Sequence, residues 1–159
     1  MTLPLTSILL DDAVAEIQVA YNLRIKHKDR IKVIEATIAE KLFRHTWNPD
    51  KLELQETFKV MLLNRNNQLL GIATVSEGGI CSTQVDTRLL LGIILKSMAV
   101  GVILAHNHPS GNCMPSHLDF KLHEIVYDKC KFFNIEVLDH IILTADSFYS
   151  FNQGRAYGN

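Results

Sequence analysis

One short segment of this chain joins an apolar strand, a tight loop and a helix to three side chains that a single metal ion could bind. The run 100–105 is continuously apolar, which predicts a buried strand, and it ends at His106. His108 follows two residues later, and Asp119 lies one turn into the helix predicted after Pro115 and Ser116. A rigid strand end is a good place to hold the first ligands of a metal site.

The three residues also indicate what kind of metal site this would be. His106 and His108 point to the same face if the strand continues, because side chains alternate along a strand. Two imidazole nitrogens and a carboxylate suit Zn²⁺, and three protein ligands with one open position are typical of catalytic zinc. We therefore expect one Zn²⁺ per chain, bound by His106, His108 and Asp119. Zinc lowers the pKa of a bound water to about 7, which supplies a nucleophile at neutral pH.

A hydrolytic site also needs a general base and a donor for the oxyanion. Glu77 is our candidate base, since it ends a predicted strand beside the pair Gly78-Gly79. Ser116 is the candidate oxyanion donor. Ser116 and Asp119 also have the spacing of a helix capping box, and the two roles are compatible.

Three further residues have open roles. Asp139 and His140 either orient a metal ligand from behind or stabilise a strand end, and the sequence favours neither. Cys113 lies in the loop between the ligands. It either approaches the metal or is a partly buried spectator thiol, and the second interpretation is favoured.

Composition limits the function classes. A chain of 159 residues suits one domain, and a formal net charge of -1 gives no support to non-specific binding of nucleic acid, so DNA is a partner that bulk charge does not support. The three cysteines match neither a disulfide framework nor a paired zinc ribbon, which indicates a reducing, cytoplasmic protein. No apolar stretch reaches the roughly 20 residues of a membrane span, so we expect no membrane association.

Hydrophobic periodicity predicts a mixed order of strands and helices. Strands are expected over 13–21, 53–63, 69–75, 80–85, 100–105 and 135–143. Helices are expected over 33–47, 88–99 and 117–133, the second capped by Asp86 or Thr87. The inward residues of the last two helices should be Leu89, Leu90, Ile93, Ile94 and Met98, and Leu118, Leu122, Ile125, Val126 and Phe133. This order favours an α+β layered fold.

The motif resembles a known zinc signature. The pattern of His106, His108, Pro109, Ser116 and Asp119 is similar to that of the JAB/MPN (JAMM) metalloproteases. The longer string His-Asn-His-Pro-Ser-Gly resembles the bacterial RadC-like branch, and so do the runs 76–79, 139–142 and 149–151. The resemblance covers about residues 53–155. It implies a JAB/MPN, cytidine-deaminase-like fold, with a central mixed sheet flanked by helices.

The resemblance also implies roles and an activity. His106, His108 and Asp119 would bind zinc, Glu77 would be the general base, and Ser116 would donate to the oxyanion. The reaction would be hydrolysis of a peptide or isopeptide bond in a peptide or protein substrate. We expect a metallohydrolase domain over 53–159 and a strand-loop-helix extension over 1–52 that packs on the same domain.

One departure from the family bears on its DNA-repair label. Full-length RadC-like proteins carry an N-terminal helix-hairpin-helix region that could contact DNA. Residues 1–52 are too short for it and lack its glycine pattern, so the chain resembles the short, single-domain form.

The sequence fits other function classes less well than a hydrolase. A zinc deaminase would need His/Cys-x-Glu and Pro-Cys-x-x-Cys, and neither occurs. The remaining alternatives are a non-catalytic JAB scaffold and a DNA-associated accessory protein. A homodimer is also open, because the predicted strand over 13–21 could pair with the sheet edge of a partner chain.

Overall fold

The computed structural model describes residues 25–78 and 85–158, which contain six strands and three α-helices. The helices are α1 (Ala36–Thr46), α2 (Thr87–Lys96) and α3 (His117–Phe132). The strands are β1 (Thr57–Leu63), β2 (Leu69–Glu77), β3 (Gly101–Asn107), β4 (Glu136–Leu143), β5 (Ser147–Ser150) and β6 (Arg155–Gly158). The α+β prediction is confirmed. The predicted strand over 13–21, residue Gly79, and nearly all of the predicted strand over 80–85 lie outside the described residues.

The strands form one mixed sheet in the order β2-β1-β3-β4-β5-β6. Only β3 and β4 pair in parallel, and α3 is the crossover between them. Parallel neighbours need such a crossover because the chain must return to the same end of the sheet. The N-terminus of α3 therefore lies at the end of β3, beside His106.

Helices cover both faces of the sheet. On one face, α2 and α3 pack Leu90, Ile94 and Val126 against β1 and β3. On the other face, α1 packs Phe43 against strand residues such as Ile103. His106 pairs with Phe58, and Phe58 belongs to the first cluster, so the His106 side chain points to the α2/α3 face. Residues that alternate with His106, such as Asn107, point to the α1 face.

The segment before β1 matters for the site. The predicted strand over 53–63 begins only at Thr57. Before it, Pro49–Lys51 forms a short 3₁₀ turn that Asn48 caps, and Asn107 binds the chain at Leu52 and Gln55. The boundary at residue 52, between the N-terminal extension and the metallohydrolase domain, stays a prediction.

The inward faces of two helices differ from the predicted ones. In α2, Leu90 and Ile94 are buried, but Leu89 and Met98 are 50% and 67% exposed. The helix ends at Lys96 and Met98 has a φ of 55°, so helical periodicity no longer applies to it. In α3, Val126 and Cys130 are buried, whereas Leu118 is 68% exposed. The remaining misplaced residues, Ile125 and Phe133, are exposed as well.

The C-terminal tail contains two strands that the sequence did not predict, β5 and β6. Each has four residues, too short for a clear alternation of apolar and polar side chains. Among the described residues, no helix is long and apolar enough to cross a membrane.

The N-cap of α2 gives a test of the fold. Asp86 is the cap, and its Oδ1 accepts hydrogen bonds from the N–H groups of Arg88 and Leu89. We expect Asp86→Ala to lower the free energy of unfolding by about 1 kcal/mol, because two N–H groups lose their acceptor. Urea denaturation measures this. The control is Asp128→Ala, at an exposed position inside α3, which should change stability by less than about 0.5 kcal/mol. Equal effects from both variants would contradict the capping role.

Candidate metal centre

The centre forms where β3 ends and α3 begins. β3 lies between β1 and β4 and is buried along its whole length, which fixes His106 near its end. The His108 N–H donates to the carbonyl of Leu143, so pairing with β4 continues one residue past the strand. Asp119 lies in the first turn of α3. The end of β3 thus supplies both histidines, and the first turn of α3 supplies the carboxylate.

The predicted ligands converge. His106 Nε2 lies 3.0 Å from His108 Nε2 and 3.1 Å from Asp119 Oδ1, and His108 Nε2 lies 3.5 Å from Asp119 Oδ2. Tetrahedral zinc with bonds near 2.0–2.1 Å places its ligand atoms about 3.3 Å apart, so these separations fit one small cation. His106, His108 and Asp119 form a cluster that could bind a metal ion.

Hydrogen bonds leave each histidine with a nitrogen for the metal. His108 Nδ1 lies 2.8 Å from the carbonyl of Asn112, so Nδ1 carries a proton and Nε2 is the nitrogen left for a metal to bind. Burial would lower the pKa of His108, but hydrogen bonds to Asp119 and Asn112 and the charges of Asp119 and Glu56 raise it overall. The same contacts lower the pKa of the acid, Asp119. Burial would raise the pKa of Asp119, but hydrogen bonds with His106, His108 and Ser116 hold it well below its usual range, so it is an ionised ligand.

Asp119 and Ser116 form the predicted capping box. The Ser116 N–H donates to Asp119 Oδ2 at 2.6 Å, and the Asp119 N–H donates to Ser116 Oγ at 3.3 Å. The box fixes the carboxylate so that Oδ1 faces His106. The Ser116 hydroxyl accepts here and still has its own proton to donate, and Ser116 is exposed. The structure thus leaves both roles of Ser116 available.

His140 and Asp139 have different neighbours, because consecutive strand residues face opposite sides of the sheet. His140 points to the α3 side, and its Nε2 lies 2.9 Å from His106 Nδ1. Burial first, and then the charges of His106 and His123, lower the pKa of His140 well below its ordinary value. In the tautomer with its own proton on Nδ1, His140 accepts the Nδ1 proton of His106 and leaves His106 Nε2 available to a metal.

Asp139 stabilises a turn instead. Its Oδ2 accepts the Ser150 hydroxyl at 2.6 Å, and its Oδ1 accepts the N–H groups of His140 and Asn152 at 2.7 and 3.0 Å. No contact joins it to His106, His108 or Asp119 among the described hydrogen bonds and ion pairs. The turn carries Phe151, whose ring stacks on His140 at 4.7 Å between centroids.

Sequence reasoning missed the aromatic packing behind the centre. His123 is half-buried and stacks on Phe151 at 4.9 Å and on His140 at 5.6 Å. These residues are far apart in sequence and follow no shared period, so no pattern could have joined them. Cys113 is buried against Ile142 and Tyr149.

Glu77 is not brought to the triad. Glu77 pairs with Thr57, whereas His106 pairs with Phe58, the next residue of β1. Because consecutive strand residues face opposite sides of the sheet, the Glu77 side chain points to the α1 face, opposite His106. There its Oε2 accepts a hydrogen bond from Lys51 Nζ at 2.8 Å. That hydrogen bond and the charge of Lys51 lower the pKa of Glu77, although the carboxylate is exposed. Glu77 is therefore paired with Lys51 on the face of the sheet that does not carry the triad.

Strand alternation places Glu56 on the same face of the sheet as the triad. Its carbonyl accepts the N–H of Gly78, so the pairing of β1 with β2 extends to it, and alternation gives it the same face as Phe58 and His106. Its charge raises the pKa of His108. Sequence reasoning missed Glu56 because the pairing of β1 with β3 is not visible in sequence.

The contact between His140 and His106 yields a testable expectation. We expect His140→Phe to weaken zinc binding by about 10- to 100-fold, because His106 loses the acceptor that fixes its tautomer while the buried ring volume is kept. Competition with a chromophoric chelator measures the dissociation constant. His123→Phe is the matched control, since His123 stacks on His140 without reaching a ligand, and it should bind zinc as wild type does. Unchanged affinity in His140→Phe would refute the assignment.

Comparison with known proteins identifies the family. A family described as "RadC-like JAB domain" matches residues 32–156. A UPF0758 protein of Flavobacterium johnsoniae is 40% identical over 96 residues, which is 60% of this chain and 42% of that protein. One from Haemophilus ducreyi is 34% identical over 109 residues, 69% of this chain and 49% of that protein. The chain thus spans less than half the length of these curated relatives. On the family match, this chain belongs to the RadC-like JAB domain family.

Proposed function

We propose that the chain is a zinc-dependent hydrolase that cleaves a peptide or isopeptide bond in a peptide or protein substrate in the cytoplasm. The observation that carries the proposal is the convergence of two imidazole nitrogens and one carboxylate at distances that suit zinc. A second carboxylate, Glu56, shares their face of the sheet. Metal ligands with an adjacent unligated acid are what metal-assisted hydrolysis requires.

Each residue has a task in this reaction. His106, His108 and Asp119 would hold Zn²⁺, which acts as a Lewis acid and lowers the pKa of water. Glu56 accepts a proton from the attacking water and returns it to the leaving amine. The Ser116 hydroxyl donates a hydrogen bond to the oxyanion.

The orientation of the two side chains favours Glu56 over Glu77 as the general base. A base must lie within hydrogen-bond reach of the proton it takes, directly or through one water. Glu77 lies on the opposite face of the sheet and is paired with Lys51. Glu77 remains the alternative that the sequence motif suggests, and the two glutamates are separable by mutation.

Two functions of other classes compete with hydrolysis. A non-catalytic JAB scaffold needs no metal ligands, yet all three are present and are held by contacts that leave their metal-binding atoms available. A DNA-associated accessory protein would need a basic surface, and the net charge of -1 offers little support. Tight DNA binding that weakens steeply with salt would favour that alternative.

Metal content is the first test of the proposal. We expect about one equivalent of zinc in the purified wild-type protein, and little in His106→Ala and Asp119→Asn, because each removes a ligand. Asp119→Asn keeps a side-chain acceptor for the Ser116 N–H, so it disturbs α3 less than alanine would. His117→Ala, an exposed neighbour in the same helix turn, should keep its zinc. If wild type stays metal-free after reconstitution at neutral pH, the hydrolase is excluded and the scaffold is favoured.

The base assignment has its own test. We expect Glu56→Gln to keep zinc but to lower kcat by about 10²- to 10⁴-fold, because a neutral amide cannot accept the proton. Glu77→Gln, a matched substitution on the other face, should keep both zinc and most activity. Peptide and isopeptide libraries supply the substrate, and elemental analysis supplies the metal content. The reverse result, with Glu77→Gln inactive and Glu56→Gln active, would restore the base that the sequence suggests.

A further inference from the structure

Asn107 stands between the two histidine ligands in sequence and faces away from them in space. Strand alternation turns its side chain to the α1 face, where it is fully buried. It therefore cannot bind the same metal ion as His106 and His108. Its place in the motif needs another explanation.

The Asn107 amide makes three hydrogen bonds to one stretch of backbone. Its Oδ1 accepts the Thr57 N–H at 2.7 Å. Its Nδ2 donates to the carbonyls of Leu52 and Gln55 at 2.6 and 2.9 Å. Both amide protons and one lone pair of the oxygen are used, so the group is well satisfied despite its burial.

Two of these bonds enclose Glu56. Gln55 and Thr57 are its immediate neighbours, and a single side chain holds a backbone atom of each. The Glu56 carbonyl is held separately by the Gly78 N–H at 2.9 Å. The backbone on both sides of Glu56 is therefore tied to β3, the strand that carries His106.

We propose that Asn107 is a positioning residue that aims the Glu56 carboxylate at the metal centre. This inference rests on the proposed function, since it takes Glu56 as the general base. One rigid strand then sets both halves of the reaction geometry: His106 faces the metal, and Asn107 faces the segment that carries the base. Because His106 and Asn107 are consecutive residues of β3, this arrangement fixes the distance between the metal site and the base.

The chemistry of the amide explains why asparagine suits this position. Aspartate keeps an acceptor for the Thr57 N–H but offers no donor to the two carbonyls. Serine is too short to reach both sides of Glu56. Glutamine has the same groups on a chain one methylene longer, which a fully buried site cannot accommodate without displacement.

The test compares crystal structures of zinc-loaded wild type, Asn107→Ser and Asn107→Asp. We expect zinc to remain bound in both variants, while the Glu56 carboxylate moves by about 1 Å or more, a displacement that can cost about 10²-fold in rate. Asn64→Ser is the matched control, because Asn64 similarly holds the N–H groups of Asn66 and Gln68 at the other end of β1. Glu56 should not move in it. An unmoved Glu56 in both Asn107 variants would overturn the proposal.

Kinetics with the best library peptide separate positioning from general stability. We expect Asn107→Ser to lower kcat about 100-fold with little change in KM. Adding it to Glu56→Gln should cause no further loss, since it acts through Glu56. A multiplicative loss in the double variant, or failure of both Asn107 variants to fold, would show that Asn107 serves stability instead. Full activity in Glu56→Gln would refute Glu56 as the base, and absence of zinc in wild type would refute the proposed hydrolase. In either case, crystals of the same three proteins grown without zinc would still show whether Asn107 fixes the position of Glu56.

Discussion

The parallel pairing of β3 with β4 is the constraint on which the site depends. Because the two strands run in the same direction, the chain must cross over between them, and α3 is that crossover. The start of the helix is thereby placed at the end of β3, within reach of His106. A capping box then settles which carboxylate oxygen faces the histidine. An antiparallel neighbour joined by a short hairpin would have left no helix start at this point.

Alternation along the strands accounts for most of the remaining assignments. His106 and His140 point to the α3 face, and they meet at 2.9 Å. Asn107 and Asp139 point to the opposite face, where each binds backbone of a neighbouring segment. In each pair of consecutive residues, the histidine lies at the metal centre and the other residue, Asn107 or Asp139, stabilises the backbone around it. The Asp139-His140 pair thus fits both roles that the sequence left open, one for each residue.

The sequence predicts best what is local and worst what depends on strand pairing. The strand at 100–105, the helix after Ser116 and the capping box each follow from neighbouring residues, and all three lie close to where they are expected. Glu56 and Glu77 both lie at ends of strands, and nothing local distinguishes them. Their faces are set by the register of β1 against β2 and β3, and a shift of one residue would exchange them. The helix faces fail for a related reason, since tertiary packing decides which side of an apolar helix is buried.

The centre is held in place by contacts that do not involve a metal ion. His106 is fixed by His140 of β4. His108 is fixed by the Asn112 carbonyl and Asp119 by the Ser116 N–H, and both of these partners lie in the loop between β3 and α3. Each contact uses an atom that zinc would not need and leaves the other atom directed inward. Such a site would lose little conformational entropy on binding an ion, which favours affinity. The cost is two imidazole nitrogens held 3.0 Å apart beside a half-buried carboxylate. A divalent cation at their centre would offset that cost, because it would bind both nitrogen lone pairs and the carboxylate oxygen at once.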